Sequence, residues 1–585
     1  MVATRVAQGQ GGAAAAARGD EPRRAAIEAF IESHFRLQPV SATFAGNHAF
    51  DAHLPDYSPE GLTAARQERS RLRRELADAG LGLLAPSDVA RRDWVAIDGA
   101  LADASLEIEL AEADSPHFLR GNPLLPIADA LHGLVAIALS GALPIDVAVD
   151  SVVARLKAFP SFLHGARRSL GDGPVPASWR DRAVRTCDGG LALLADLAGW
   201  AVGGGAAVSQ CRALQDAGLH ASAAVDWYRA WVAGREHAPS TRYAAGGSLL
   251  DTIARRAHGA EQPVEAMRHE ARASLEREVN RLHDLLRASG DASWDSVVAR
   301  VTSQHPAVAN VLATCAASWE ALRDASSDQV TWPGVPVRFI PMPAWARRAA
   351  PDLSWRLYRS PPPLERPDAD RYHVPLPDED ANGAERERFA RTWNHVAIRL
   401  QHVLHHGGLG RHNVYRHAAG APSRIGRLAA VDGASRMALL VGGSLVEGWA
   451  AYAIEMMEEE GVLTPDERLA AQRERVHIMV RAVVDLELHT GRLSHDRAVQ
   501  FHHEVALVPR AAARAEVTRS SMFPGTGIMR WFGLRELWRA RHAAESALRE
   551  RFDAHSFHDA VLACGAIPVT LVSSLLAASR GATDP

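Results

Sequence analysis

Apolar positions along most of this chain recur at helical rather than strand spacing. In AAIEAFIESHFRL, Ile27, Phe30, Ile31 and Phe35 fall on one helical face. SPEGLTAARQERSRLRRELADAG opens with a Ser-Pro-Glu helix entry and stops at Gly80. Ala/Leu/Arg/Glu-rich stretches continue to about residue 325, broken by short loops such as GDGPVPAS (171–178). Helical patterning resumes near residue 384 and continues to the end. Period-two alternation is rare, and no repeat of fixed length recurs.

The exception is a segment dense in proline. Residues 331–378 hold 11 of the chain's 32 prolines, and VPVRFIP and RYHVPLP within it read as short extended pieces. The pattern predicts a mainly α-helical protein: one large domain (25–585) around a deep cleft, with a few short strands in a Pro-rich segment that either lines the cleft or links two helical halves. Residues 1–24, MVATRVAQGQGGAAAAARGDEPRR, lack helical periodicity and are expected to form a flexible tail.

Composition narrows the function classes. The 585 residues carry 65 Lys+Arg against 69 Asp+Glu, a net charge of −4, and aromatics make up 6%. Near-neutrality and few stacking platforms argue against nucleic acid as a partner. No apolar run approaches the roughly 18–20 residues needed to span a bilayer, which argues against a membrane channel or transporter. The N-terminus has no apolar stretch like that of a secretory signal, and the four cysteines are too scattered for a disulfide framework or a thiolate zinc site. A cytoplasmic location with free thiols is expected. Oligomeric state is not legible.

The candidate chemistry lies in RTWNHVAIRLQHVLHHGGLGRHNVYRH (391–417), which holds His395, His402, His405, His406, His412 and His417. Neutral imidazole is a common ligand for borderline metals. His402 and His406 are four apart, one turn on one face of an α-helix. Some 40 residues on, SLVEGWAAYAIEMMEEEG (444–461) reads as a strong helix in which Glu447 projects from an apolar stripe of Ala450, Ala451 and Ile454. A buried carboxylate needs a cation or a metal. The spacing therefore admits two readings: a two-helix metal site, or a buried glutamate paired with an arginine.

Five segments resemble the bacterial family known as domain of unknown function 885. They are LQPVSATFAGNHAFDAHLPDYSPEGL (37–62), EGWAAYAIEMMEEEG, RAVVDLELHTGRLSHDRAVQF (481–501), EVTRSSMFPGTGIMRWFG (516–533) and FHDAVLACGAIPVTLV (557–572). The resemblance implies a helical metallopeptidase-like fold of the gluzincin type, whose hallmark is HE-x-x-PGHH followed by EGWA. There the histidines and the distal Glu bind zinc, and the Glu after the first His acts as general base on metal-bound water. In this chain the hallmark falls on HHGGLGRH. His405 and His412 keep two histidine positions, His406 replaces the base, Leu409 replaces Pro, and Arg411 replaces a histidine. Glu447, Asp485, His489, Pro524 and Gly525 match, while Thr526 and Arg530 stand where the family has Gln and Tyr.

What the resemblance implies is a divalent metal, zinc first, held by His405, His412 and Glu447. His406 and His489 are the catalytic candidates. Arg411, Arg530 and Thr526 are the substrate-binding ones, the arginines suiting a carboxylate or phosphate. Three functions follow: a divergent metal-dependent hydrolase of a peptide, amide or ester with His406 as base; a repurposed enzyme of specialised metabolism; or a catalytically silent member that binds a small-molecule or peptide-like ligand.

Overall fold

The computed structural model describes residues 3–353, 360–431 and 439–581, with side chains within these from Asp20 to Ala578. The chain is mainly α-helical. The first helix runs Ala3–Leu37, so helical backbone extends through the stretch expected as a tail, and Arg23 bonds to Asp93 at 3.2 Å. Strands β1 (Val337–Pro341) and β2 (Asp370–Val374) pair in parallel, Val337 opposite Asp370 and Phe339 opposite Tyr372. Both fall in the Pro-rich segment. Among the described residues no helix is long and apolar enough to cross a membrane, and all four cysteines are free.

Two apolar cores organise the helices. One gathers the N-terminal helices, the helices between 249 and 330, both strands and most of the C-terminal half. The other is built from the helices between 124 and 233, with Trp345 and Leu353. Leu488, Met522 and Phe523 of the C-terminal half insert into this second core. The C-terminal helices are thus held by both.

One helix pair governs the centre. The helix Gly443–Glu459 lies against the helix Ile528–Leu548, and Gly448 meets Gly533 where they touch. A Cβ added at Gly533 would sit 1.9 Å from the Ser444 carbonyl oxygen, and one at Gly448 would sit 2.4 Å from the Gly533 carbonyl carbon. Only glycine permits backbones this close. Glu447 precedes one of these glycines and Arg530 lies one turn before the other, so the crossing sets both side chains at the same depth.

The histidine-rich helix departs from α geometry. Ala397–Gly407 is a π-helix, with i→i+5 hydrogen bonds. It ends in a tight reversal where Gly410 N donates to the Leu404 carbonyl at 2.8 Å, and the helix Arg411–Ala418 follows. The one-face pairing expected of His402 and His406 does not form, because the two side chains enter different surroundings. His402 stacks on Trp393 (centroids 3.9 Å apart) and its Nδ1 lies 2.7 Å from the Tyr372 hydroxyl, in the core. His406 borders a cavity.

The glycine crossing yields a test. Gly533→Ala should destabilise the protein by about 3 kcal/mol or more, because two backbones must separate. Gly199→Ala, on an exposed helix face with nothing within 4 Å, should stabilise it by about 0.5–1 kcal/mol. Urea midpoints of the two variants check both; a tolerated Gly533→Ala contradicts the close approach.

Candidate functional site

Behind the glycine crossing lies a polar cavity of about 400 Å³. Its wall comes from the end of the π-helix, the Glu447 helix, the helix Pro465–His489, the helix Arg510–Met522 and the turn leading to Arg530. Five arginines (411, 473, 481, 519 and 530) face it, against three glutamates (447, 474 and 516).

Glu447 sits at the centre and is 6% exposed. Arg411 donates from Nη2 to its Oε1 at 2.5 Å, and Arg530 donates from Nη2 to its Oε2 at 3.0 Å. The same Arg530 nitrogen lies 3.1 Å from His405 Nε2, while its Nη1 reaches Glu474 Oε1 at 3.1 Å. His405 Nδ1 faces the Ala450 carbonyl at 3.3 Å. These partners assign the tautomer: Nδ1 carries the proton and Nε2 accepts from Arg530. Burial, then the Arg530 and Arg411 charges, push the His405 pKa well below the usual imidazole value, so it is neutral. Burial also lowers the Arg530 pKa, against which Glu447 and Glu474 hold its charge.

The expected ligands do not form a common set. His412 is fully buried, but its Nε2 lies 3.0 Å from the Val335 carbonyl and its Nδ1 3.1 Å from Asp370 Oδ2. That carboxylate also takes the Arg416 guanidinium, and despite burial His412 and Arg416 hold it below the usual aspartate range. Arg530 spans the two atoms, Glu447 Oε2 and His405 Nε2, that a metal would have to share. Among the described residues, no three His, Cys, Asp or Glu side chains converge to hold a metal ion. This donor set does not fit the zinc site implied by the family resemblance. The paired-glutamate alternative is the arrangement that the geometry gives.

His489 lies outside the cavity. It is fully buried; its Nε2 lies 3.0 Å from the Ser520 carbonyl and its Nδ1 accepts from Ala245 N at 3.1 Å. These bonds make it a brace between chain segments rather than an acid or base open to substrate. Its neighbour Asp485 holds the site from beneath. It accepts from the backbone N–H groups of Gly525 (3.2 Å), Gly527 (2.9 Å) and Ile528 (3.1 Å). This caps the Arg530 helix at its positive end and fixes the turn in which Gly525 takes φ +81°. Thr526 borders the cavity from that turn, its hydroxyl donating to the Phe523 carbonyl at 2.7 Å.

Glu474, His477, Arg481 and Arg473 were not anticipated from the sequence; nor were Glu516, Arg519 and His502. The available signal is RERVHIMVR (473–481), where Arg473, His477 and Arg481 recur every four residues beside apolar Val476, Ile478, Met479 and Val480. Such a polar stripe reads equally as a solvated face, and only the surrounding helices make it a cavity wall. Burial lowers the His502 pKa to about 3. Glu516, with about a third of its side chain open to the cavity, is opposed by desolvation, yet Arg481 and neighbouring cations bring it to about 2. Glu474 is likewise held well below the ordinary range by His477, Arg530 and Arg481, against burial.

These shifts fix the acid limb of stability. A histidine with a lowered folded pKa binds fewer protons than the unfolded chain below about 6.5, so His502 makes stability fall as pH drops from there towards 3. Glu516 adds a second loss as pH falls from about 4.5 to about 2. The melting temperature should therefore decline from about pH 6.5, and Glu516→Gln should flatten only the part below about 4.5. A wild-type profile that is level between 6.5 and 4.5 contradicts the assignment.

Two solved structures share the fold across nearly the whole chain. A candidate lipoprotein of unknown function from Shewanella oneidensis superposes with a TM-score of 0.72 at 19% identity, covering 94% of this chain and 99% of that one. A candidate lipoprotein from Colwellia psychrerythraea does so with a TM-score of 0.76 at 16% identity, covering 96% and 100%. No functionally curated protein matches. The pattern described as "Bacterial protein of unknown function (DUF885)" spans residues 39–576, and the chain belongs to that family.

Proposed function

We propose that this chain binds a small anion, a carboxylate or a phosphate, in its arginine-lined cavity, and that guanidinium groups rather than a metal ion supply the positive charge at its centre. One observation carries the reading: Arg530 Nη2 lies within 3.0 Å of Glu447 Oε2 and 3.1 Å of His405 Nε2. A divalent cation brought to those atoms would meet Arg530 and Arg411 at contact distance, and the like-charge repulsion is large where water is scarce. The excess of arginine over glutamate leaves net positive charge for a ligand, and guanidinium forks suit planar or tetrahedral oxyanions.

A hydrolase in which His406 takes the proton is the second reading. It is favoured by the position of His406 on the cavity wall, only partly buried, with Gln401 Nε2 3.3 Å from its Nε2. His406→Ala should then abolish turnover of p-nitrophenyl esters. On location, the free cysteines accord with the cytoplasm, whereas the structural relatives are described as candidate lipoproteins; cell fractionation separates the two.

Three measurements test the first reading. After equilibration with zinc and gel filtration, the protein should retain far less than one equivalent; a full equivalent lost in His405→Ala and Glu447→Gln overturns the guanidinium reading. Inorganic phosphate should bind by calorimetry, and Arg481→Gln should weaken it by about tenfold, one charge-assisted contact's worth. Glu447→Gln should destabilise the fold by about 3–5 kcal/mol with or without zinc, since two buried guanidiniums lose their shared counter-charge.

A further inference from the structure

Leu125, Ala128, Asp129 and His132 fall on one face of the helix Leu124–Ser140. All four border a second cavity, of about 440 Å³. Its lining mixes apolar side chains with five arginines, three acids and two histidines. Part of that charge is matched within the wall. Arg66 pairs with Asp114 at 2.8 Å, and Arg69 with Glu109 at 2.5 Å. His132 turns its Nε2 to the Leu353 carbonyl at 3.0 Å.

Asp129 is not matched in this way. Its Oδ2 accepts from the Tyr57 hydroxyl. Among the described residues, no arginine, lysine or histidine nitrogen lies within 4 Å of its oxygens. Burial raises its pKa to about 6, opposed only by the bond from Tyr57, and no cation acts on it. At pH 7 it is therefore largely ionised, a poorly hydrated carboxylate without a counter-charge. Such a group is costly unless a cation meets it. Its exposed part faces the cavity, so the cation has to come from there. A metal ion needs several oxygen ligands, and Asp129 offers one carboxylate. An organic ammonium needs only one charged partner, and a cavity of this size takes a small organic molecule whole.

We propose that this cavity is a second binding site, for a small organic amine: its ammonium group pairs with Asp129, and its apolar body lies against Leu125 and Ala128. Tyr57 occupies one carboxylate oxygen and leaves Oδ1 to the ammonium. The site goes beyond the anion reading and does not depend on it.

Calorimetry on the full chain at pH 7 with benzylamine and benzyl alcohol, alike in size and different in charge, tests this. Benzylamine should bind about tenfold more tightly or better, one charge-assisted contact's worth. Asp129→Asn, which keeps the shape and the bond from Tyr57 but removes the charge, should erase that preference. Leu125→Trp, which fills the cavity beside the carboxylate, should abolish binding of both ligands. If one variant does not fold, the other decides. A wild type that binds the alcohol as tightly, or binds neither, overturns the amine site. So does an amine preference that survives Asp129→Asn, or benzylamine binding unchanged by Leu125→Trp. The anion reading is decided separately, by phosphate.

Discussion

Two helices that meet through glycine leave little freedom to the side chains beside the contact. Gly448 and Gly533 bring backbone against backbone, and Ser444 leaves no room for a methyl group between them. Glu447 and Arg530 are consequently held face to face on the cavity wall, each with little exposure to water. Each needs the other, and the rest of the polar cavity is built outward from that need. Arg411 completes the coverage of the carboxylate, Glu474 takes the second arm of Arg530, and His405 accepts the remaining proton. Asp485 anchors the arrangement by capping the helix that carries Arg530.

The electrostatics of this cluster differ from those of a metal centre in a way that matters for chemistry. A metal ion presents open coordination positions and polarises what binds there. Guanidinium groups present fixed donors whose directions are already used in part by carboxylates. They hold oxyanions well and activate water poorly. His405, neutral and occupied at both nitrogens, adds no base. Under the anion-binding reading proposed above, the cavity serves recognition, and His406 is the imidazole on its wall.

The helical architecture, the two short strands and family membership were all legible in the sequence, because periodicity and motif order are local properties. The identity of the central carboxylate was legible too: Glu447 projects from an apolar stripe, and the two partners weighed for it, metal and arginine, were the right pair of alternatives. The choice between them was not legible. It depends on Arg530, 83 residues away along the chain, arriving over the carboxylate through a helix contact that no spacing rule encodes. His402 and His406 misled for a different reason: spacing does not say what surrounds a side chain, and His402 packs on Trp393 and Tyr372 in the core while His406 reaches the cavity. The His477–Arg481 stripe was hidden because a polar face looks alike whether it meets solvent or a cavity.

The positions that match the family pattern divide by what they hold. Gly448, Gly525, Asp485 and His489 fix backbone: a helix contact, a left-handed turn, a helix cap and a brace. Glu447 and His405 also match, but in this chain they serve as acceptors for guanidinium groups. The departures from the resembled motif, His406, Arg411 and Arg530, cluster around them. Arg411 and Arg530 supply the positive charge that a buried glutamate requires. A substitution at Arg530 alone would take one of two guanidiniums from Glu447 and leave Glu474 to His477 and Arg481. Arg530 thus ties Glu447, Glu474 and His405 together, and the charge balance of this cavity turns on that one side chain.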